Sequence, residues 1–225
     1  MRITEGQLRQ LIREELDASN ERKAIAVFDN TNTLSTCCIA YEIDALEDSI
    51  QDSNLAAGER IRDYWYGVIA GVDLSESAPW LNGHCNGAWH VKLSASSQKG
   101  WGTKVYLAAL DHLKIISSDR WSVSPPAEAM WKKLARYGFV EQEQFDDIIN
   151  PQTPPKDDDC RVFKKRDPAL DSSWKLTGAI PADIKSLVAA GNDHLRVLEQ
   201  KGLREKAESA LYAGFTKIFE ERYER

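Results

Sequence analysis

The stretch "SSQKGWGTKVYLAALDHL", residues 96–113, decides how this chain is read. Gly100 and Gly102 stand one residue apart, with Lys99 before the first and Lys104 soon after the second, where a helical period begins. From Thr103 onward Tyr106, Leu107, Leu110 and Leu113 fall on one stripe of a helix. The first turn of a helix carries N–H groups without intrahelical partners and the positive end of the peptide dipoles, so an anion is welcome there. Glycine removes the Cβ that would keep a phosphate away from the backbone. A bare G-x-G is also a tight turn, and neither the Walker A spacing nor the third glycine of a dinucleotide loop is present. The flanking segments must decide between cradle and turn.

Upstream, "AIAVF" (24–28) and "TCCIAYEI" (36–43) read as strands separated by the turn-rich "DNTNT". Residues 44–62 read as helical with a break near Gly58, and "YWYGVIAGVDL" (64–74) and "GAWHVKL" (87–93) as two further strands. Downstream, "RWSVS" (120–124) predicts a short strand, and Ser124-Pro125-Pro126 a helix start with a serine cap and proline in the first turn. Ala127, Met130, Leu134 and Tyr137 follow on one face, and Gly138 ends that helix. A proline-rich loop (149–159) leads to the strand "CRVFKK". Beyond Asp167-Pro168 the chain reads as helical: one helix starts at Pro181, and a longer one aligns Leu203, Ala207, Leu211, Phe215 and Ile218. The order of elements predicts a mixed α/β (α+β) fold with a mostly antiparallel central sheet flanked by helices. Three segments follow: an N-terminal amphipathic helix (1–22), an α/β domain (23–166) and a C-terminal helical extension (167–225). The N-terminal helix has Thr4 and Gln7 in a capping box, with Leu8, Leu11, Ile12 and Leu16 on one face.

The bulk composition narrows the function classes. A chain of 225 residues with a net charge of −6 does not carry the basic surface of a general nucleic-acid binder. No apolar run approaches the roughly 20 residues of a bilayer crossing, and residues 1–22 lack the apolar centre of a secretory signal. A cytoplasmic protein is expected, with Cys37, Cys38, Cys85 and Cys160 as reduced thiols. Adjacent Cys37 and Cys38 on a strand place one thiol on each face. A zinc site built from Cys85, His84 and His90 is the minor alternative; no metal is expected. A serine hydrolase is set aside because no G-x-S-x-G elbow occurs.

The glycine turn, its helix, the next strand and the block "SDRWSVSPPAEAMWKKLARYGFV" (118–140) together resemble the core of the GNAT superfamily of N-acetyltransferases. In that family a [Q/R]-x-x-G-x-[G/A] loop binds the pyrophosphate of acetyl-coenzyme A. Here the loop reads Ser97-Gln98-Lys99-Gly100-Trp101-Gly102, with both glycines in place, Ser97 in the first slot and Gln98 beside it. The following family block, N-x-x-A-x-x-x-Y-x-x-x-G-F, is met by Ser124, Ala127 and Trp131, with Gly138-Phe139 three residues further on. The motifs cover residues 87–140. A looser likeness to GNAT-like proteins of tailed bacteriophages extends to the C-terminus and includes "DPALDSSWKL".

The resemblance implies transfer of an acetyl group from acetyl-coenzyme A, as co-substrate, to an amine acceptor of unknown identity. It implies cofactor contacts from Val91 and Leu93 on the strand before the loop, and from Gln98, Lys99, Gly100, Trp101, Gly102, Thr103 and Lys104 in the loop and helix start. Trp101 would pack beneath that loop. The family's leaving-group tyrosine is replaced by Trp131, whose indole N–H is too weak an acid to supply a proton. Ser124 and Tyr137 are the candidate substitutes, Tyr137 reading equally as a core or rim aromatic. His90 is a candidate base or a packed core histidine. Asp119 and Arg120 read as a structural pair or a substrate contact. Glu42, Asp44, Glu47 and Asp48 read as a solvated helix face or the lining for a cationic amine. The departures at Ser97 and Trp131 leave open a second reading, a GNAT-fold protein that has lost catalysis and serves as a binding or virion-associated component. The N-terminal helix resembles the clipped leaders of proteins packaged in phage heads, Ile12-Arg13-Glu14 meeting the cleavage rule. The host cytoplasm and the virion are the two expected locations. The C-terminal helices are candidates for homodimerisation or docking.

Overall fold

The computed structural model describes residues 22–30, 35–51, 67–75, 88–117, 124–144 and 172–223. The N-terminal helix with its clipping triplet, the strand expected over 160–165, and His84, Cys85, Cys160, Asp119, Arg120, Trp65 and Trp121 lie outside these residues. Strands β1 (Lys23–Asn30), β2 (Ser35–Glu42), β3 (Val68–Ser75), β4 (Trp89–Ser96), β5 (Ile115–Ser117), β6 (Val140–Gln144) and β7 (Ser172–Leu176) form one seven-stranded sheet in the order β1-β2-β3-β4-β5-β7-β6. Every neighbouring pair is antiparallel except β4 and β5. Five described helices accompany it: α1 (Ile43–Gln51), α2 (Trp101–Leu113), α3 (Pro125–Arg136), α4 (Ala182–Gln200) and α5 (Arg204–Tyr223). The mixed α/β class and the mostly antiparallel sheet are therefore as expected. Among the described residues no helix is long and apolar enough to cross a membrane.

The sheet is covered on both faces, which is why β2 and β3 are apolar almost throughout rather than alternating. One core gathers Val72, Leu74, Leu107, Leu110, Trp131 and Leu134 under α2 and α3. The other gathers Ile39, Tyr41, Leu46, Leu211 and Phe215 under α1 and α5. Cys37 joins this second core and Cys38 the first, one thiol on each face, and burial pushes both thiols up, away from thiolate chemistry.

Helix α4 runs over the edge strand β1, with Ile184 in the first core and Leu195 and Leu198 in the second. Its crossing point is Gly191, where an added Cβ would lie 2.2 Å from the Ile25 carbonyl oxygen. Covering β1 in this way removes an exposed edge that would otherwise invite pairing.

One reading of the C-terminal part is corrected. The chain after Asp167-Pro168 is not helical throughout: Ser172–Leu176 is a strand between β5 and β6. The helices that follow pack on the sheet, with Ala207, Leu211, Phe215 and Ile218 buried. The strand at Ile115–Ser117 also precedes the one expected over 120–124, of which only Ser124 is described.

A polar chain that starts at the buried Tyr41 and His194 and runs out to the surface ties α4 to β2 and α1. The Tyr41 hydroxyl lies 2.9 Å from His194 Nδ1, and His194 Nε2 lies 3.3 Å from Glu47 Oε1. Arg22 pairs with Asp44 and sits 3.6 Å from Glu47. Burial lowers the His194 pKa; the Glu47 carboxylate opposes this, while Arg22 and Lys201 add to it. A neutral ring that accepts the Tyr41 hydroxyl at Nδ1 carries its proton on Nε2, 3.3 Å from Glu47 Oε1, and the lowered pKa favours this neutral form. With the folded pKa below the unfolded value of about 6.5, the unfolded chain binds more protons, and stability must fall as the pH drops below that value toward the folded pKa. The thermal midpoint is expected to decline from pH 7 to pH 5, and a His194→Gln variant to lose much of that decline. An equal slope in both proteins would show that His194 is not the titrating group.

Candidate functional site

The parallel ladder between β4 and β5 joins only Trp89 to Ile116 and His90 to Ser117, although β4 continues to Ser96. Past His90 the described residues pair β4 on its β3 side alone, so alternate N–H and C=O groups on the other side are left for another partner. The chain then turns through Ser97–Gly100 into α2. This turn is pinned to β3, where the Ser97 amide and hydroxyl both donate to the Ile69 carbonyl at 2.8 and 2.9 Å. The Ser96 hydroxyl donates to the Gln98 carbonyl at 2.6 Å. Gly100 caps α2 with φ of 87°, a left-handed conformation that favours glycine, and no side chain caps the helix. The Trp101 amide reaches back to Gln98 at 3.4 Å, while those of Gly102 and Thr103 have no carbonyl within the helix to bond.

A cavity of about 770 Å³ opens at this point. Its floor is the end of β4, with Ser94 and Ser96, together with Gly71 of β3. One wall is the turn and the start of α2: Gln98, Lys99, Gly100, Gly102, Thr103 and Tyr106. The other wall is the start of α3, with Ser124, Pro126, Ala127 and Met130. The two walls differ chemically. Pro125 and Pro126 have no N–H, the Ala127 amide bonds the Ser124 hydroxyl oxygen at 3.4 Å, and the Glu128 amide bonds the Ser124 carbonyl at 3.0 Å. The α3 wall is thus apolar apart from the Ser124 hydroxyl, whereas the α2 wall offers free amides, a helix dipole and Lys99. Among the described lining residues Lys99 carries the one formal charge, so the cavity favours an anion at its α2 end.

Gly102 is the informative position. Its φ is not in the left-handed region, and an added Cβ would meet only Ser96 Cβ, at an ordinary 3.6 Å. Neither backbone conformation nor the packing of the described residues requires glycine there, and without a Cβ the backbone amide is open to the cavity.

The structure brings Gln98, Lys99, Gly100, Gly102, Thr103 and Ser124 to one cavity and places the other candidates elsewhere. Trp101 is buried beneath the turn in the core under α2. Lys104 turns away, 4.5 Å above the Trp101 ring and 3.9 Å from Asp183, so it is not a lining residue. Val91 is packed in the core and Leu93 against the other one; the part of β4 that reaches the cavity is Ser94–Ser96, a few residues later. His90 is buried and bonded through Nδ1 to the Ser117 hydroxyl, its register partner across β4 and β5, a structural pairing rather than a base at the cavity. Tyr137 is 61% exposed at the C-terminal end of α3, a helix length of roughly 18 Å from Ser124, so it is not in the core and does not line the cavity. None of Glu42, Asp44, Glu47 and Asp48 lines the cavity.

Tyr106 and Ser94 were not singled out from the sequence as cavity residues. Tyr106 falls on the apolar stripe of α2, and periodicity alone does not separate a core face from a cavity wall. Trp131, in the family's tyrosine slot, is buried, stacked at 5.1 Å on Trp174 and edge-on at 5.0 Å to Tyr106. No protein-family model, curated protein or solved structure matches the chain, so the functional reading rests on the cavity itself.

Proposed function

We propose that the protein binds acetyl-coenzyme A in this cavity and transfers the acetyl group to an amine, as an N-acetyltransferase of the GNAT type. The observation that carries the reading is Gly102: a glycine required by neither conformation nor the packing of the described residues, at the uncapped start of a helix that opens onto a large cavity. The free amides of Gly102 and Thr103, with Lys99 beside them, suit a diphosphate. The apolar α3 wall of Pro126, Ala127 and Met130 suits the thin, largely uncharged arm that such a ligand carries beyond its diphosphate. The side of β4 that no described residue pairs beyond His90 supplies backbone N–H groups of the kind that hold a carbonyl oxygen as it gains charge. The single parallel pair, with a glycine turn and helix between its strands, also fits the resemblance in the sequence.

Bound acetyl-coenzyme A supplies an activated thioester. The protein's part is to fix the diphosphate, orient the thioester carbonyl along β4 and present it to the amine. Calorimetric titration with coenzyme A and with a plain nucleoside diphosphate tests the reading. Saturable binding of both, in competition with each other, is expected. No binding of coenzyme A at millimolar concentration overturns it. Binding without release of thiol from acetyl-coenzyme A, across a panel of primary amines, would assign the chain to coenzyme A recognition without catalysis.

A further inference from the structure

From the contacts behind the glycine turn we infer that Lys104 is a positioning residue: it holds the first turn of α2 so that the Gly102 and Thr103 amides stay open to the cavity. The role rests on the coenzyme A reading of that cavity. On the cavity side the turn is weakly tied. It starts at a left-handed glycine, no side chain caps it, and the Trp101 amide spans a long 3.4 Å to the Gln98 carbonyl. A helix end whose groups lack partners is the part that frays.

What holds the turn lies away from the cavity. The Trp101 indole is buried in the core under α2. Lys104, three residues on and so on the same face, places its ammonium 4.5 Å from the centre of that ring. The same ammonium lies 3.9 Å from Asp183 Oδ2, in the first turn of α4. One cation thus joins the first turns of two helices across an indole.

The ring is the stronger of its two partners. The Asp183 side chain is 65% exposed, and an exposed pair at 3.9 Å contributes little. The Lys104 side chain is only 24% exposed, and a cation drawn out of water onto an indole is held more firmly than one at the surface. Lys23 Nζ lies 5.9 Å from the same ring, at the outer limit of such a contact, so Lys104 is the closer cation. A lysine beside the glycines that does not reach the cavity is thereby explained. It acts on the ligand through the backbone it holds.

Two measurements on the full chain test this role. Lys104→Met removes the charge while keeping an unbranched side chain, and Lys104→Arg restores the charge. The first measurement is amide hydrogen exchange without ligand. In the helix the Val105 and Tyr106 amides close on the Trp101 and Gly102 carbonyls, so their exchange reports opening of the first turn. Lys104→Met is expected to speed both roughly three- to tenfold, the worth of the lost cation–ring contact, with Ala109 and Leu110 unchanged. The second is calorimetry with coenzyme A and with inorganic diphosphate. Lys104→Met should weaken both by a similar factor, and Lys104→Arg should return exchange and affinity to within about twofold.

Weaker binding with unchanged exchange would make Lys104 a charge felt through space and overturn the positioning role. Faster exchange with unchanged affinity, or no rescue by arginine, overturns it too. Binding of diphosphate but not of coenzyme A by the unmodified protein removes the coenzyme A reading and leaves Lys104 positioning an anion cradle. Binding of neither overturns both.

Discussion

Gly191→Ala is expected to lower the thermal midpoint by roughly 6–12 °C, from a loss on the order of 3 kcal/mol, at the upper end of ordinary overpacking. In a typical exposed helix the same change gains about 0.5–1 kcal/mol, because alanine gives up less backbone entropy on folding. Here the added carbon would lie 2.2 Å from the Ile25 carbonyl oxygen, 2.6 Å from its carbon and 3.0 Å from the Ala26 amide nitrogen. All three are backbone atoms of β1, which cannot rotate aside as a side chain would. To admit the methyl group, α4 must lift from β1, loosening Leu195 and Leu198 on one side and Ile184 on the other. Gly102→Ala is the control, being also a glycine within a helix but with only a 3.6 Å contact to Ser96 Cβ. Its midpoint in the absence of ligand should rise slightly. Opposite signs for one substitution in two helices would establish direct backbone packing of α4 on β1. A rise in both would show that the helix stands off the strand.

The parts of the fold legible in the sequence are those with strong local signals. The Ser124-Pro125-Pro126 start and Gly138 stop of α3 are written in capping chemistry, and the structure reproduces both, with Ser124 as cap and Gly138 at φ of 73°. The strands β1 to β4 are apolar enough to stand out, and β1 pairs with β2 in register from Lys23–Glu42 to Asn30–Ser35. What could not be read depends on neighbours distant in sequence. β5 is only "IIS" and β7 only "SSWKL"; neither has a period long enough to recognise, and both exist because adjacent strands complete their hydrogen bonds. The site shows the same division. Glycines beside a lysine at a helix start identify the turn that borders the cavity. Whether His90 faces a ligand or Ser117, and whether Lys104 faces a phosphate or Asp183, is decided by elements 27 and 79 residues further along the chain.

Gly102→Val should weaken coenzyme A binding by roughly a hundredfold, on the order of 3 kcal/mol, the worth of two charge-assisted bonds from the Gly102 and Thr103 amides. The isopropyl group would fill the approach to those amides and hold a diphosphate away from them. It would meet little of the described protein, since the nearest atom to the new Cβ is Ser96 Cβ at 3.6 Å. Circular dichroism should therefore be nearly unchanged, which separates lost binding from lost fold. Lys99→Ala removes a charge at the cavity mouth that solvent and salt already screen, and should cost no more than about fivefold, with a smaller penalty at higher ionic strength. The ordering is the test: calorimetry on the three proteins should show backbone access outweighing side-chain charge. A larger loss from Lys99→Ala than from Gly102→Val would mean that the anion is held by the lysine at the cavity rim. The free amides at the start of α2 would then not be the binding element, and the argument from Gly102 would fail.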